Sequence, residues 1–191
     1  MFYGELGILA NARQISSDFS ELKAQASLGF NWEGAGFIRT TPQVIEQINS
    51  ETASNLIRLK RHLKLPFYPE VKLLQDWSEV LPEEHRLMHE IYGDSNINKA
   101  GTKGIIRISP AIVKAFVTER MGIAQMPPIS LAGILGHEAF HLRQLFDNPE
   151  QVAKDVAVLK DLNGLELWES TITEINANEF ERFWIEFGSL Q

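Results

Sequence analysis

Two histidines four residues apart, His137 and His141, with Glu138 directly after the first, are the residues of this chain best placed to do chemistry. In an α-helix, residues four apart differ by about 40° around the axis and sit one turn apart along it, so both imidazoles leave one face. They can then share a single metal ion. Glu138 stands beside the pair, where its carboxylate meets a water on that metal and can act as general base. Zinc brings such a water to a pKa of about 7, so a nearby carboxylate can complete its activation at neutral pH. The plain alternative is an ordinary amphipathic helix that happens to carry two histidines and a glutamate. With 5 histidines in 191 residues, shuffling supplies the pattern about once in eighty chains. What surrounds the motif therefore decides its meaning.

A catalytic zinc takes three protein ligands and leaves a fourth position for water. The last helical stretch offers Glu174, followed one turn later by Asn178. A carboxylate there can bind the metal while the asparagine side chain accepts a hydrogen bond from a ligand imidazole and fixes its tautomer. Two other acids compete. Asp147 lies six residues after His141, the position of a metzincin's third ligand. Those enzymes need glycine where this chain has Gln144, and a methionine turn downstream, whereas the last methionine here is Met126. Glu169 precedes Glu174 by five residues, about 140° away on one helix, so both cannot face the same metal. His85 and His89 form a second pair at helical spacing, but no glutamate follows the first of them. They read as a surface helix, with His89 or Tyr92 available as an oxyanion stabiliser. His62 reads as a helix-surface or boundary histidine.

These residues need a helix beneath them. Ser130 is a good N-cap for one running from Leu131 to about Phe146, with Leu131, Ile134, Leu135 and Leu145 as core positions. The last helix is expected over Leu165–Phe187. Asn148-Pro149 restarts a helix that ends at Asn163-Gly164, and Ser109-Pro110 opens one that Gly122 closes. In the first half, Arg13–Leu28 and Thr41–Leu65 have helical apolar spacing, separated by the glycines of Gly29–Gly36. Pro66 and Pro69 impose an extended passage, and a short helix follows over Pro82–Tyr92. Gly93–Gly101 reads as a polar loop. Gly104–Ser109 reads as a short strand, because three isoleucines lie between a glycine and a proline. The fold class is α+β, predominantly helical, with a small sheet and a central metal-binding helix. Residues 1–100 read as a helical region forming a lid or substrate wall and 101–191 as the metal-binding core, within one compact domain.

Composition removes several classes of function. The 44% hydrophobic content suits a globular domain with a real core. The net charge of −7, with no basic cluster beyond the four cations of Arg58–Lys64, argues against a nucleic-acid partner. There are no cysteines, so thiol catalysis, disulfides and thiolate-bound zinc are excluded, and His, Asp and Glu remain as metal ligands. Met1–Arg13 does not read as a signal peptide, and no stretch approaches the roughly 18 apolar residues of a membrane span. The expectation is a soluble cytoplasmic protein without a membrane partner.

The two motifs together, His137-Glu-x-x-His141 and then Glu174-Ile-Asn-Ala177-Asn178-Glu-Phe180, resemble those of the gluzincin metallopeptidases. Within them they are most similar to the minimal group related to the ImmA/IrrE proteins. The similarity spans residues 104–187. It departs at Glu181, where that group has alanine, and at Phe183-Trp184-Ile185, which replaces a Leu-Leu-x-Pro ending. The resemblance implies a zincin-like fold and Zn2+ held by His137, His141 and Glu174. It further implies Glu138 as base, Asn178 behind the ligands, and a peptide or protein substrate. It also implies that Gly104–Ser109 is the edge strand with which an extended substrate pairs. The competing reading is a non-catalytic or latent regulator that uses the same scaffold to capture a peptide or protein partner.

Overall fold

Thr41 and Pro42 begin helix α1 (Pro42–Leu63) as expected: the threonine hydroxyl accepts from the Val44 N–H (3.4 Å), and the proline takes a first-turn position that needs no N–H. The computed structural model describes residues 41–74, 76–122, 129–159 and 164–188. The helix expected over Arg13–Leu28, the glycine break after it and the prolines at 127 and 128 lie outside the described residues. Helix α1 buries Val44, Ile48, Leu56, Leu59 and Leu63. It ends where Lys64 turns left-handed (φ 52°) and the Leu65 N–H bonds back to the Lys60 carbonyl (3.0 Å).

One three-stranded sheet follows, in the order β1-β3-β2. Strand β3 (Gly104–Ile108) is the isoleucine run expected to be a strand. It is central, however, pairing in parallel with β1 (Glu70–Leu73) and antiparallel with β2 (Gly93–Ile97). It therefore cannot be the edge strand that pairs with substrate. Both partners correct the sequence reading. The segment read as a polar loop forms β2, although Gly-Asp-Ser-Asn has little intrinsic β preference. What holds it is cross-strand pairing: Asp94 lies opposite Arg107 and accepts from its Nε at 2.8 Å. Asn98 closes the connecting turn by accepting from the backbone of Thr102 (2.9 Å) and Lys103 (3.0 Å). Strand β1 is four residues long and hidden behind two prolines, with Val71 and Leu73 turned into the core. Strands β1 and β2 precede residue 101 and β3 follows it, so one sheet joins both segments of the chain. Between β1 and β2 lie two short 3-10 turns and helix α2 (His85–Glu90), close to the expected span.

Helix α3 (Pro110–Arg120) ends before Gly122, whose φ of 69° suits a left-handed turn. Helix α4 (Leu131–Asp147) is the hub. Its N-cap Ser130 accepts from the Gly133 N–H (2.9 Å). Its neighbours are α1, the strands β2 and β3, helix α5 (Pro149–Val156) and helix α7 (Ile172–Phe187). A single apolar cluster runs from Val44 on α1 through Ile106 and Ile108 on β3 and Leu135, Ala139 and Leu142 on α4 to Trp184 on α7. Helix α5 stops earlier than expected, its last bonds tightening into turns at Val158 (3.1 Å) and Leu159 (2.9 Å). The stretch expected as one final helix is two: α6 (Leu165–Glu169) and α7. Thr171 makes the break, because its hydroxyl donates to the Trp168 carbonyl (2.7 Å) and accepts from the Glu174 N–H (3.3 Å), which starts a new helix. Among the described residues no helix is long and apolar enough to cross a membrane.

The distance between α4 and α7 is set at Gly136. A Cβ there would lie 2.9 Å from Cδ1 and 3.2 Å from Cβ of Trp184, whose side chain is buried. Only a residue without a side chain lets the two helices approach this closely. Gly136→Val should therefore overpack the junction and cost about 1–3 kcal/mol. Thermal unfolding should show it as a melting temperature lower by several degrees, at about 2–4 °C per kcal/mol for a chain of this size. An unchanged melting temperature would show that the junction is not tight.

Candidate metal centre

The second and third turns of α4 project His137 and His141 toward the first turn of α7, from which Glu174 reaches back. Their inward atoms form a small triangle: the two Nε2 atoms are 3.0 Å apart, and Glu174 lies 3.1 Å from His141 and 3.4 Å from His137. Among the described residues this is the group of histidines and acids whose donor atoms converge well enough to hold a metal ion, all within 4.8 Å of one another. The two competing acids are elsewhere. Asp147 is exposed and paired with Arg143 (2.6 Å), and Glu169 is exposed on α6.

The outward imidazole nitrogens are also engaged. Nδ1 of His137 donates to Glu181 (3.2 Å), and Nδ1 of His141 donates to the Gln144 side-chain oxygen (2.8 Å). With both outward nitrogens protonated, each neutral ring turns a bare Nε2 lone pair toward the other. Two lone pairs at this distance repel unless a cation lies between them. Two nitrogens and a carboxylate oxygen are a donor set that suits zinc. Donors at about 2.0–2.1 Å from a tetrahedral zinc stand about 3.3–3.4 Å from one another, so the triangle needs to widen by only a few tenths of an ångström. The residues present fit a metal ion.

Without a metal, a proton does the same work. Burial disfavours a charged His137, but its hydrogen bonds to Glu174 and Glu181 outweigh that and raise its pKa to about 10. Burial likewise opposes the charge on Glu174, yet its bonds to both histidines bring its pKa down to about 2. Asn178 touches the group through Glu174, in a different role from the one expected. Its Nδ2 donates to Glu174 Oε1 (3.2 Å) rather than accepting from an imidazole. The imidazoles are oriented instead by Gln144 and Glu181, neither of which the sequence reading assigned to the site. Glu181 had a legible signal, since Glu174, Asn178 and Glu181 are spaced along one helical face. Trp168 of α6 adds a ring beside His141, 5.8 Å between centroids.

Glu138 faces the sheet side of the same helix. It is 4% exposed, Ser95 lies beside its carboxyl group, and its Oε2 atom is buried without a hydrogen-bond partner. Burial raises its pKa above the usual carboxylate range, opposed by the nearby histidines. Gly93 makes room for it: a Cβ there would come within 3.3 Å of Glu138 Oε1 and 2.8 Å of the Arg107 carbonyl. Two of the remaining histidines have other partners. His85 bonds the Val80 carbonyl (3.0 Å) and His62 packs against Phe183 (5.4 Å between rings). Tyr92 is exposed, and the side chain of His89 lies outside the described residues.

No protein-family model matches the chain, and no curated protein and no solved structure matches it either.

The proton and the metal compete for one place, which gives a pH signature. The depressed pKa of Glu174 makes its contribution to metal-free stability complete above 4.5 and lost as pH falls toward about 2. The raised pKa of His137 makes its contribution complete below 6.5 and lost as pH rises toward about 10. The raised Glu138 also favours the folded state less as pH rises. Zinc held by the triangle would take the place of the proton and should abolish the alkaline loss. The rise in melting temperature on adding zinc to chelator-treated protein should therefore grow as pH rises from about 6.5 toward 10. A zinc effect independent of pH would contradict this assignment of protons.

Proposed function

We propose that the protein is a zinc-dependent metallopeptidase of the gluzincin type, with a zincin-like fold, in which His137, His141 and Glu174 hold the metal and Glu138 is the general base. The observation that carries this reading is the buried, unpartnered Oε2 of Glu138 on the helix turn that bears His137. A desolvated acid costs stability unless it has a use, and a raised carboxyl pKa suits a group that takes and returns a proton near neutral pH. The zinc, when bound, supplies Lewis acidity, acidifying a water and polarising the substrate carbonyl.

The chain's own residues do the rest. Glu138 takes the proton of the attacking water and returns it to the leaving amine. Strand β2 suits an extended peptide because among the described residues it is an edge of the sheet and its Gly93 and Ser95 border Glu138. A peptide added along that edge would gain backbone hydrogen bonds beside the base. In this reading β2 takes the substrate-pairing place that the sequence assigned to β3.

The test separates binding from chemistry. His137→Ala, His141→Ala and Glu174→Ala should each lose bound zinc, measured as metal content after gel filtration. Glu138→Gln should keep the metal and lower hydrolysis of a quenched peptide library at least about 100-fold. Hydrolysis undiminished in Glu138→Gln would sink the role given to that residue. Wild-type protein that holds zinc and cleaves nothing in the library would favour the non-catalytic, partner-capturing reading.

A further inference from the structure

Gln144 stands three residues after His141 on α4, and its amide is held from both sides. Its Nε2 donates to the Thr173 carbonyl (2.9 Å), and its Oε1 faces His141 Nδ1 (2.8 Å). A backbone carbonyl only accepts, so the amide has one orientation: NH2 toward Thr173, oxygen toward the imidazole. The amide oxygen also only accepts, so His141 must carry its proton on Nδ1 and present Nε2 to the triangle. A single side chain thus reads the backbone of one helix and sets the tautomer of a histidine on another.

The carbonyl it reads belongs to the residue before Glu174, the third donor. That turn is fixed from a third helix as well. The Thr173 N–H and hydroxyl both donate to Asp155 Oδ2 (3.2 and 2.5 Å), and Asp155 Oδ1 accepts from Gln151 (2.7 Å). The first N–H groups of a helix have no partner within it, and Asp155 on α5 supplies one from outside. The contacts form one line, Gln151–Asp155–Thr173–Gln144–His141, across α5, α7 and α4.

We propose that Gln144 is a positioning residue of the metal centre: it sets the tautomer of His141 and ties that ring to the turn carrying Glu174, with Asp155 bracing the turn from α5. The proposal rests on the reading that His137, His141 and Glu174 hold a metal. It differs from simple packing, because a packing role asks for shape whereas this one asks for a donor and an acceptor in a fixed order.

Three variants separate the parts. Gln144→Met keeps the length and removes both hydrogen bonds. Gln144→Glu keeps an acceptor for His141 but cannot donate to the Thr173 carbonyl. Asp155→Ala leaves Gln144 intact and removes the brace. The two readouts are the His141 tautomer in metal-free protein, from nitrogen NMR of the imidazole, and zinc affinity by competition with a chelator. Wild type should show a protonated Nδ1 on His141. Gln144→Met should lose that signal and bind zinc about 10- to 100-fold more weakly. Gln144→Glu should keep the signal and still bind more weakly, and Asp155→Ala should do the same to a smaller degree. A metal-free wild type protonated on Nε2 of His141 would overturn the proposal, as would Gln144→Met with wild-type affinity and tautomer. The wild-type tautomer decides the matter even if a variant fails to fold. Zinc failing to bind the wild type would remove the metal reading itself, a different result from a wild type and a Gln144→Met variant that bind zinc equally well.

Discussion

Two imidazole nitrogens held 3.0 Å apart, each with its outward nitrogen engaged by a hydrogen-bond acceptor, are the constraint around which this protein is arranged. Such a pair favours a cation between the rings, and Glu174 provides a negative charge beside that place. The three side chains come from two helices, so the spacing of α4 and α7 decides whether the triangle closes. Gly136 sets that spacing by letting the backbone of α4 meet Trp184 directly. The buried apolar cluster on either side of α4 holds the two helices at that separation.

Burying charge of this kind is costly unless every lone pair has a partner. Here the partners are layered. Gln144 and Glu181 stand behind the imidazoles, Asn178 behind Glu174, and Asp155 behind the turn from which Glu174 springs. Glu138 is the exception: one of its oxygens has no partner, and burial pushes its pKa up. The same α4 turn therefore has a well-satisfied donor face and, next to it, an unsatisfied acid facing the sheet edge.

The break between α6 and α7 has a local cause and a distant effect. Thr171-Ile-Thr-Glu174 has the pattern of a capping box, in which the glutamate would fold back on the threonine N–H. The threonine does cap the helix, but the glutamate carboxylate turns to the histidines instead. The N–H of Thr171 donates to the Trp168 carbonyl on α6 instead (2.9 Å). One side chain has left its local role for a tertiary one, and a second helix fills the gap.

Much of the centre was legible in the sequence because it depends on helical spacing. His137, Glu138 and His141 occupy one helix, and the 3.6-residue period alone places the histidines together and the glutamate beside them. The caps Thr41, Ser130 and Thr171 are local as well, although reading Thr171 as helix interior concealed the break at α6. What only the tertiary structure decided is whatever joins distant segments. Strand β2 has almost no β preference and exists because Arg107 and the backbone of β3 lie opposite it. The choice of Glu174 over Asp147 and Glu169 follows from the α4–α7 packing distance, which no spacing rule contains. The roles of Gln144, Glu181 and Asp155 depend on hydrogen bonds between helices. A helix period fixes angles within one element, whereas a donor and an acceptor from separate elements meet only after the core has set the distance between them.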